Sequence, residues 1–511
     1  MNQTTPQVQA SATSTSTRRW LALATLMIPV LLISVDNTVL GFAVPAISLA
    51  LKPTSTEMLW IVDVYALVLA GLLVPMGSIG DRIGRRRILL IGATGFAIVS
   101  VAAAFATTAG QLIAARAAIG IFGSMLMPAT LSLIRNIFDN ARERRLAVAI
   151  WASVYSGGAA FGPLLGGVLL EHFPWGSIFL IAVPMLVPAL LLTPVLVPES
   201  RDPAPSPVDP VSIALVVTAA VALVWGIKEI AHDGGPAAAA AVLLGLGLGT
   251  AFVRRQLTRE RPMLDVRLFA RPVFSASIGA NLVSFFSLVG FMYFLSQHLQ
   301  LVAGASPLDA GLLMLPGAAL SVVAGLAAVR LASRFSAASV MVAGLVMNAA
   351  GYAVVLAFGR DGWMPALLTG FAVVGVGVGL AETLSNDLIL ASVPPAKAGA
   401  ASAISETAYE LGAVLGTAIL GSILGAAYRL GVQVPAGLPA EAAAQARETL
   451  GGAVDAASLL PPDAAGALLD SARRAFDSGV ASTSAIAAVL MAAAAVVVLR
   501  ALRTRDASRS A

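Results

Sequence analysis

Residues 60–99 read WIVDVYALVLAGLLVPMGSIGDRIGRRRILLIGATGFAIV, two apolar stretches separated by a short loop with four arginines. Each stretch approaches the roughly 20 apolar residues that a helix needs to cross a bilayer. The pattern therefore predicts two membrane-spanning helices whose connecting loop lies at one surface of the membrane.

The same pattern continues through the whole chain. Of its 511 residues, 58% are hydrophobic and 12% charged, whereas soluble domains carry about a quarter charged residues. We expect an all-α membrane protein with fourteen spans, near residues 20–41, 58–78, 88–106, 112–134, 146–170, 177–197, 209–228, 237–253, 273–296, 309–332, 338–358, 364–392, 402–427 and 480–500.

The distribution of basic residues orients these spans. With the N-terminus inside, the cytoplasmic segments hold 24 Lys and Arg, against three in short outer loops, Lys52, Lys228 and Arg360. Positive loops stay in the cytoplasm, so both termini are predicted to be cytoplasmic. This distribution assigns the net charge of +5 to topology and not to binding of nucleic acid.

An offset of 254 residues superposes spans 4 and 5 on spans 12 and 13, for example Tyr155 on Tyr409 and Gly158 on Gly412. Internal repeats are typical of transporters. We expect two pseudo-symmetric six-helix bundles with two inserted helices. The predicted divisions are a disordered cytoplasmic tail (1–19), the first bundle (20–200), a linker with spans 7 and 8 (201–271), the second bundle (272–500), an extracellular helical hairpin within it (429–478, broken at Pro461-Pro462) and a cytoplasmic tail (501–511).

The loop GSIGDRIGRRR combines spaced glycines, which let helix ends approach, with an acid that can accept hydrogen bonds from arginines. It could latch two helices at the cytoplasmic face through Gly77, Asp81, Arg82, Gly84, Arg85 and Arg86. The alternative is a basic loop needed only for topology, which would not explain the acid or the glycine spacing.

Several motifs together carry a resemblance. G-x-x-x-D-R-x-G-R-R resembles the loop signature of the major facilitator superfamily, and GGAAFGPLLGG resembles the antiporter signature of its drug exporters, here Gly158, Gly162, Pro163, Gly166 and Gly167. VDNTVLGFAVP, WIVDVYALVLAG, SPLDAGLLMLP and ETAYELGAVLG are similar to the fourteen-span drug:proton antiporters that export quaternary ammonium compounds and methyl viologen. The resemblance implies a monomeric pump of the bacterial cytoplasmic membrane, surrounded by lipid and working without a cofactor.

This sequence departs from the pattern of that branch at two places. The second-half loop RLASRFSAAS lacks the acid, and Glu382 stands where the branch would not lead us to expect one.

The glycine spacing of span 5 also has a physical interpretation. Glycines four residues apart present a smooth face for close helix packing, and Pro163 removes an internal hydrogen bond. We expect this helix, and Gly412 with Gly416, to form a seam between two moving halves. Plain close packing is the alternative.

Six acids lie within predicted spans, and Arg116 is the one strong base counted with them. A charge at mid-bilayer costs at least ~2.5 kcal/mol, so each is a functional hypothesis. Asp36, Asp63 and Arg116 are expected to form one cluster near the outer side, with Arg116 as the partner of Asp36.

The other four acids, Glu382, Asp387, Glu406 and Glu410, are expected deeper, with the last two one helical turn apart. Carboxylates that share a cavity cannot all be ionised at low cost. At least one should therefore bind a proton, and when ionised it should attract a cation. A structural helix–helix hydrogen bond is the alternative for each acid.

Aromatic and Met side chains favour lipophilic cations. The candidate cavity walls are Trp60, Tyr65, Met127, Tyr155, Phe161, Phe286 and Tyr409, for which lipid or core packing is the alternative. No cysteine is present, and no metal site, nucleotide-binding loop or catalytic constellation is apparent, so we expect a secondary transporter and not an enzyme. The predicted function is proton-coupled export of lipophilic mono- and divalent cations; the alternatives are a dedicated metabolite exporter and a lipid translocator or sensor without proton coupling.

Overall fold

The structure is a computed structural model that describes residues 7–201, 208–232, 234–260, 262–359, 363–393 and 398–509. The described residues form helices and connecting turns, with no strand. The helices are α1 (Gln7–Leu51), α2 (Ser55–Ile83), α3 (Arg85–Ala104), α4 (Ala109–Ile137), α5 (Ala141–His172), α6 (Ser177–Leu180), α7 (Ala182–Leu196), α8 (Pro210–His232), α9 (Pro236–Thr258), α10 (Pro272–Gln297), α11 (Pro307–Ala332), α12 (Ala337–Phe358), α13 (Trp363–Ala391), α14 (Ala398–Gly416), α15 (Ser422–Gly431), α16 (Ala440–Glu448), α17 (Leu450–Ala457) and α18 (Pro462–Arg509).

Thirteen helical segments of the described chain are long and apolar enough to cross a membrane, with α6 and α7 forming one segment, and α14 and α15 another joined by a π-helical turn (Thr417–Gly421). Helix α5 is 32 residues long and lies among them. Together they agree with the fourteen spans predicted from hydropathy.

The helices pack as two equivalent bundles. Helix α1 packs on α5 as α10 packs on α14, α2 on α4 as α11 on α13, and α3 on α4 as α12 on α13. Helices α8 and α9 pack on each other, and α8 also contacts α2 and α15. The predicted pseudo-symmetry with two inserted helices is therefore confirmed.

The helical bundle has two ends. The arginine-rich end carries residues 81–87, and the hairpin end carries residues 429–478. At the hairpin end, α16 and α17 both precede Pro461, and α18 runs unbroken from Pro462 through the last span. The second helix expected of the hairpin is thus the start of the last span, because a proline begins this helix and none follows to stop it.

The N-terminal segment differs from its prediction. Helix α1 begins at Gln7, so disorder through residue 19 is wrong for the described part of this tail. Once a span has formed a helix, each further residue adds a hydrogen bond without a new nucleation cost.

The two halves meet at the hairpin end through polar contacts. Ser296 Oγ donates to the Gly41 carbonyl at 2.7 Å, Gln300 Nε2 donates to the Phe42 carbonyl at 3.1 Å, and Ser48 and Thr449 place their hydroxyl oxygens 3.4 Å apart. These contacts close the hairpin end.

Candidate functional site: buried acids between two bundles

Arg116 and Asp36 form a buried ion pair in the first bundle. Arg116 Nη1 lies 2.8 Å from Asp36 Oδ2, and the two residues are 1% and 6% exposed. The guanidinium also lies over the Tyr65 ring, 4.4 Å from its centroid. The predicted pairing is confirmed, and its cost of desolvation is offset because each charge has its partner.

Glu410 extends this cluster across the interface between the bundles. Asn37, next to Asp36 on α1, donates through Nδ2 to Glu410 Oε1 at 3.3 Å. Glu410 is 5% exposed and lies close enough to Asp36 and Arg116 to interact electrostatically with both. A single polar cluster therefore joins α1 and α4 of one half to α14 of the other.

Glu406 and Glu382 continue the cluster toward the arginine-rich end. Both are half-buried, and the charges of both act on Tyr155 of the first half. Glu406 in turn lies close enough to Glu382 and Glu410 to interact electrostatically with both. No basic side chain of the described residues forms an ion pair with Glu382, Glu406 or Glu410 within 4.0 Å. Three carboxylates this near one another cannot all ionise at low cost.

Asp387 does not join these acids. Asp387 is exposed and lies near the end of α13, although it was predicted among the deeper carboxylates. Five residues separate it from Glu382, and at 3.6 residues per turn this places it on a different face of the helix.

Asp63 has a partner that the sequence analysis missed. Asp63 Oδ2 lies 3.0 Å from Lys228 Nζ, with the side chains 2% and 0% exposed. Asp63 therefore pairs with Lys228, and the placing of Lys228 in an outer loop is wrong. Helix α8 runs on to His232, one turn beyond the predicted span, and buries Lys228.

A network of amides and hydroxyls in the second half was also missed. Asn281 Nδ2 donates to Ser405 Oγ at 2.8 Å, Ser405 Oγ donates to Asn386 Oδ1 at 2.9 Å, and Asn386 Nδ2 donates to the Tyr409 hydroxyl. The available signal was an asparagine within each of two apolar spans. The network fixes Tyr409 beside the acids of α14.

The predicted wall residues have different surroundings; the Tyr65 ring lies under Arg116 and the Trp60 ring under Lys228. Tyr155 stacks on Trp151 with centroids 6.1 Å apart, and Tyr409 packs on Phe285 at 4.4 Å, so both tyrosines lie at the acids within aromatic clusters. Two others, Met127 and Phe286, are buried in the core.

Phe161 does not belong to this wall. It is 61% exposed, whereas the neighbouring Gly162, about 100° further around the helix, is buried against α1.

The arginine-rich loop is tied to the end of α7. Gly84 has φ of 118°, a conformation that favours glycine, and turns the chain from α2 into α3. Arg85 Nε donates to Asp81 Oδ1 at 2.8 Å, while Glu199 accepts from the backbone N–H of Arg86 at 3.0 Å. Glu199 was missed by the sequence analysis and anchors this loop within the first half.

Two further members of the predicted latch have other surroundings. A Cβ on Gly77 would meet Pro128 at 3.4 Å, so this glycine lies at the α2–α4 contact. Arg82 is exposed.

The glycines of the antiporter motif pack mainly within one half. Gly158, Gly162 and Gly166 lie against α1, and Gly412 and Gly416 lie against α10 in the same way. The expected seam between the halves is therefore wrong for these five positions, which instead bring equivalent helix pairs into close contact.

Gly167 lies at the interface of the halves. A Cβ there would meet the backbone of Pro307 and Leu308 at 2.8 and 2.9 Å, and one on Gly311 would meet the Pro163 carbonyl oxygen at 2.8 Å. The α5–α11 contact is thus the seam that crosses between bundles.

Two equivalent helical bundles with charged groups buried between them define a membrane transporter. The profile of the Major Facilitator Superfamily matches residues 26–417. The chain belongs to this superfamily.

Its curated relatives include efflux and resistance proteins. The chain is 58% identical over 494 residues to the multidrug efflux pump LfrA of Mycolicibacterium smegmatis, covering 96% of this chain and 98% of LfrA. It is 39% identical to the methyl viologen resistance protein SmvA of Salmonella typhimurium, covering 90% and 93%. It is 31% identical to the tetracenomycin C resistance and export protein of Streptomyces glaucescens, covering 94% and 91%.

Solved structures share the fold. A bacterial homolog of the human lysosomal transporter Spinster, in an inward-facing and unoccupied conformation, gives a TM-score of 0.63 at 19% identity, covering 95% of this chain and 98% of that one. At this identity the likeness shows the fold alone.

Proposed function

We propose that this protein is a proton-coupled multidrug antiporter that exports lipophilic mono- and divalent cations by alternating access. It acts as a monomer in the lipid of the bacterial cytoplasmic membrane, with the arginine-rich end and both termini in the cytoplasm. The hairpin end, closed by the contacts described above, then faces outward.

The observation that carries this proposal is the group of acids Glu382, Glu406 and Glu410, which lacks a basic partner among the described residues. When protonated, such a carboxylate is neutral and binds no cation; when ionised, it attracts one. Competition of a proton and a cargo cation for the same acids is sufficient to couple their movements in opposite directions.

The relatives support export as the direction of transport. LfrA is named a multidrug efflux pump, and SmvA a methyl viologen resistance protein; methyl viologen is a dication. Tyr155 and Tyr409, which lie at the acids, supply ring faces to which organic cations are attracted.

The direct test uses everted membrane vesicles with a preset pH gradient. Addition of tetraphenylphosphonium or methyl viologen should dissipate the gradient in vesicles that contain the protein, and not in vesicles containing a Glu410→Gln variant. Lack of any response to a broad set of organic cations would contradict the proposal. A response to a single secreted metabolite would favour a dedicated exporter, and lipid movement without proton flux would favour a translocator.

A further inference from the structure

Lys228 occupies a site built like a cation-binding site. Its ammonium nitrogen lies 3.0 Å from Asp63 Oδ2 and 4.1 Å from the centroid of the Trp60 ring. A carboxylate beside an aromatic face is the arrangement by which proteins bind organic ammonium groups. The lysine reaches it from α8, an inserted helix that belongs to neither bundle.

This pair is incompletely satisfied for buried charges. Neither Asp63 Oδ2 nor Lys228 Nζ makes a well-directed hydrogen bond with a described residue, although both are buried. The hydroxyl of Thr417, from the second half, lies within hydrogen-bonding reach of Asp63, although this hydrogen bond is not well directed. A buried structural pair is stable when well-directed hydrogen bonds satisfy it, and the hydrogen bonds of this pair have poor geometry.

The site lies at a defined distance from the acids of the proposed transport site. Thr417 follows Glu410 by seven residues on one continuous helical segment, which corresponds to about 10 Å along the axis. Glu410 on α14, and Asp63 on α2 beside Thr417, therefore provide two acidic positions separated by about this distance.

A cavity of about 40 Å³ lies on the hairpin side of this site. Its lining includes Met58, Tyr293, Gly421, Glu448 and Leu450. Tyr293 also lies close enough to Asp63 to interact with it electrostatically. Glu448 of α16 and Leu450 of α17 are among the lining residues, so separation of the halves at the hairpin end would open a route toward Asp63.

We infer that Asp63 and Trp60 form a second subsite for an organic ammonium group, which Lys228 occupies as a tethered cation while the hairpin end is closed. A dicationic cargo places one charge at Glu410 and exchanges its other charge for Lys228 at Asp63. A monocation uses the first site alone. The inference rests on the proposed cation transport, since it extends the same pathway toward the hairpin end.

The test compares two ligands that differ in one charge, decamethonium and decyltrimethylammonium. Equilibrium binding to purified full-length protein is measured by calorimetry. Lys228→Met should bind decamethonium about tenfold more tightly than the unmodified protein, because a close charge pair contributes at least ~1.5 kcal/mol. Its affinity for decyltrimethylammonium should be unchanged. Adding Asp63→Asn should remove the gain, and Arg330→Met, which removes an exposed charge from α11, should bind both ligands normally.

A second variant covers the case in which Lys228→Met fails to fold. Lys228→Arg keeps the charge and adds donors for Asp63, so it should weaken decamethonium binding and leave decyltrimethylammonium unaffected. Equal changes for both ligands in every variant would overturn the inference and make the pair a structural tie.

The two proposals fail separately. If cations bind with this pattern but vesicles show no proton exchange, the proposed antiport fails and the subsite stands. If cations exchange for protons but the Lys228 variants treat both ligands alike, the subsite fails and the antiport stands.

Discussion

At the scale of single residues, the Asp36–Arg116 pair is a matched set of buried charges, so removing one partner leaves the other unpaired. Arg116→Met should destabilise the protein by about 3–5 kcal/mol and abolish export. The double variant Asp36→Asn/Arg116→Met should recover most of the stability but none of the export. Thermal unfolding of purified protein and drug export by cells are the measurements. A double variant no more stable than Arg116→Met would contradict the coupling of this pair.

The acids of α14 and α13 should differ in their effects on export. Glu410→Gln should abolish cation-driven proton flux, because Glu410 joins the two halves through Asn37. Glu406→Gln should narrow the range of exported drugs, chiefly for dications. Asp387→Asn is the matched control and should export normally, since Asp387 is exposed. Resistance profiles at equal expression check these outcomes, and an inactive Asp387→Asn would place that acid in the pathway.

At the scale of helices, α1 and α5 touch where Gly162 leaves no space for a side chain. A Cβ there would overlap the Thr38 hydroxyl, so Gly162→Ala should cost about 1–3 kcal/mol. Gly157→Ala, where a Cβ would meet nothing within 4 Å, is the control and should be at least as stable. Thr38→Ala should restore part of the loss in Gly162→Ala. The measurement is the thermal midpoint of purified protein.

Helices α8 and α9 are tied by Asp209, which lies just before α8 and outside the span. Hydrogen bonds from the Arg255 guanidinium, at 2.9 and 3.0 Å, hold the pKa of Asp209 well below its usual range. A lowered acid pKa gives stability that is present above the ordinary value near 4 and is lost as pH falls toward the folded pKa.

Asp209→Asn should therefore lower stability by about 1 kcal/mol at neutral pH. The difference in stability between the variant and the unmodified protein should become smaller as pH falls below about 4. Thermal unfolding across this pH range checks it, with the exposed Asp463→Asn as control. A stability difference that does not change with pH would show that the substitution acts through packing and not through the charge of Asp209.

At the scale of the whole molecule, transport requires the hairpin end to open and close. The chain has no cysteine, so Ser48→Cys/Thr449→Cys introduces a single pair at positions whose oxygens lie 3.4 Å apart. Oxidation should lock the hairpin end and stop export, and a reductant should restore it. Each single variant should export normally under oxidation. Export by the cross-linked protein would show that this end need not open.

The sequence analysis succeeded where one property repeats over many residues. Fourteen spans follow from hydropathy, and the two bundles follow from the repeat that places Gly158 on Gly412. It also paired Asp36 with Arg116, because one strong base among buried acids leaves few choices. It failed at Lys228 and Asp387, where one turn of helix decides whether a charge is buried or exposed.

The sequence by itself determined an all-α membrane transporter of two equivalent bundles, because the bilayer requires long apolar helices and tolerates few charges. Only the tertiary structure decided which other polar groups meet: Lys228 with Asp63, Asn37 with Glu410, and Glu199 with the loop that follows α2. The reason is physical. Burial in the membrane acts on each helix separately and can be read along the chain, whereas an ion pair depends on the rotation and depth of two helices packed together.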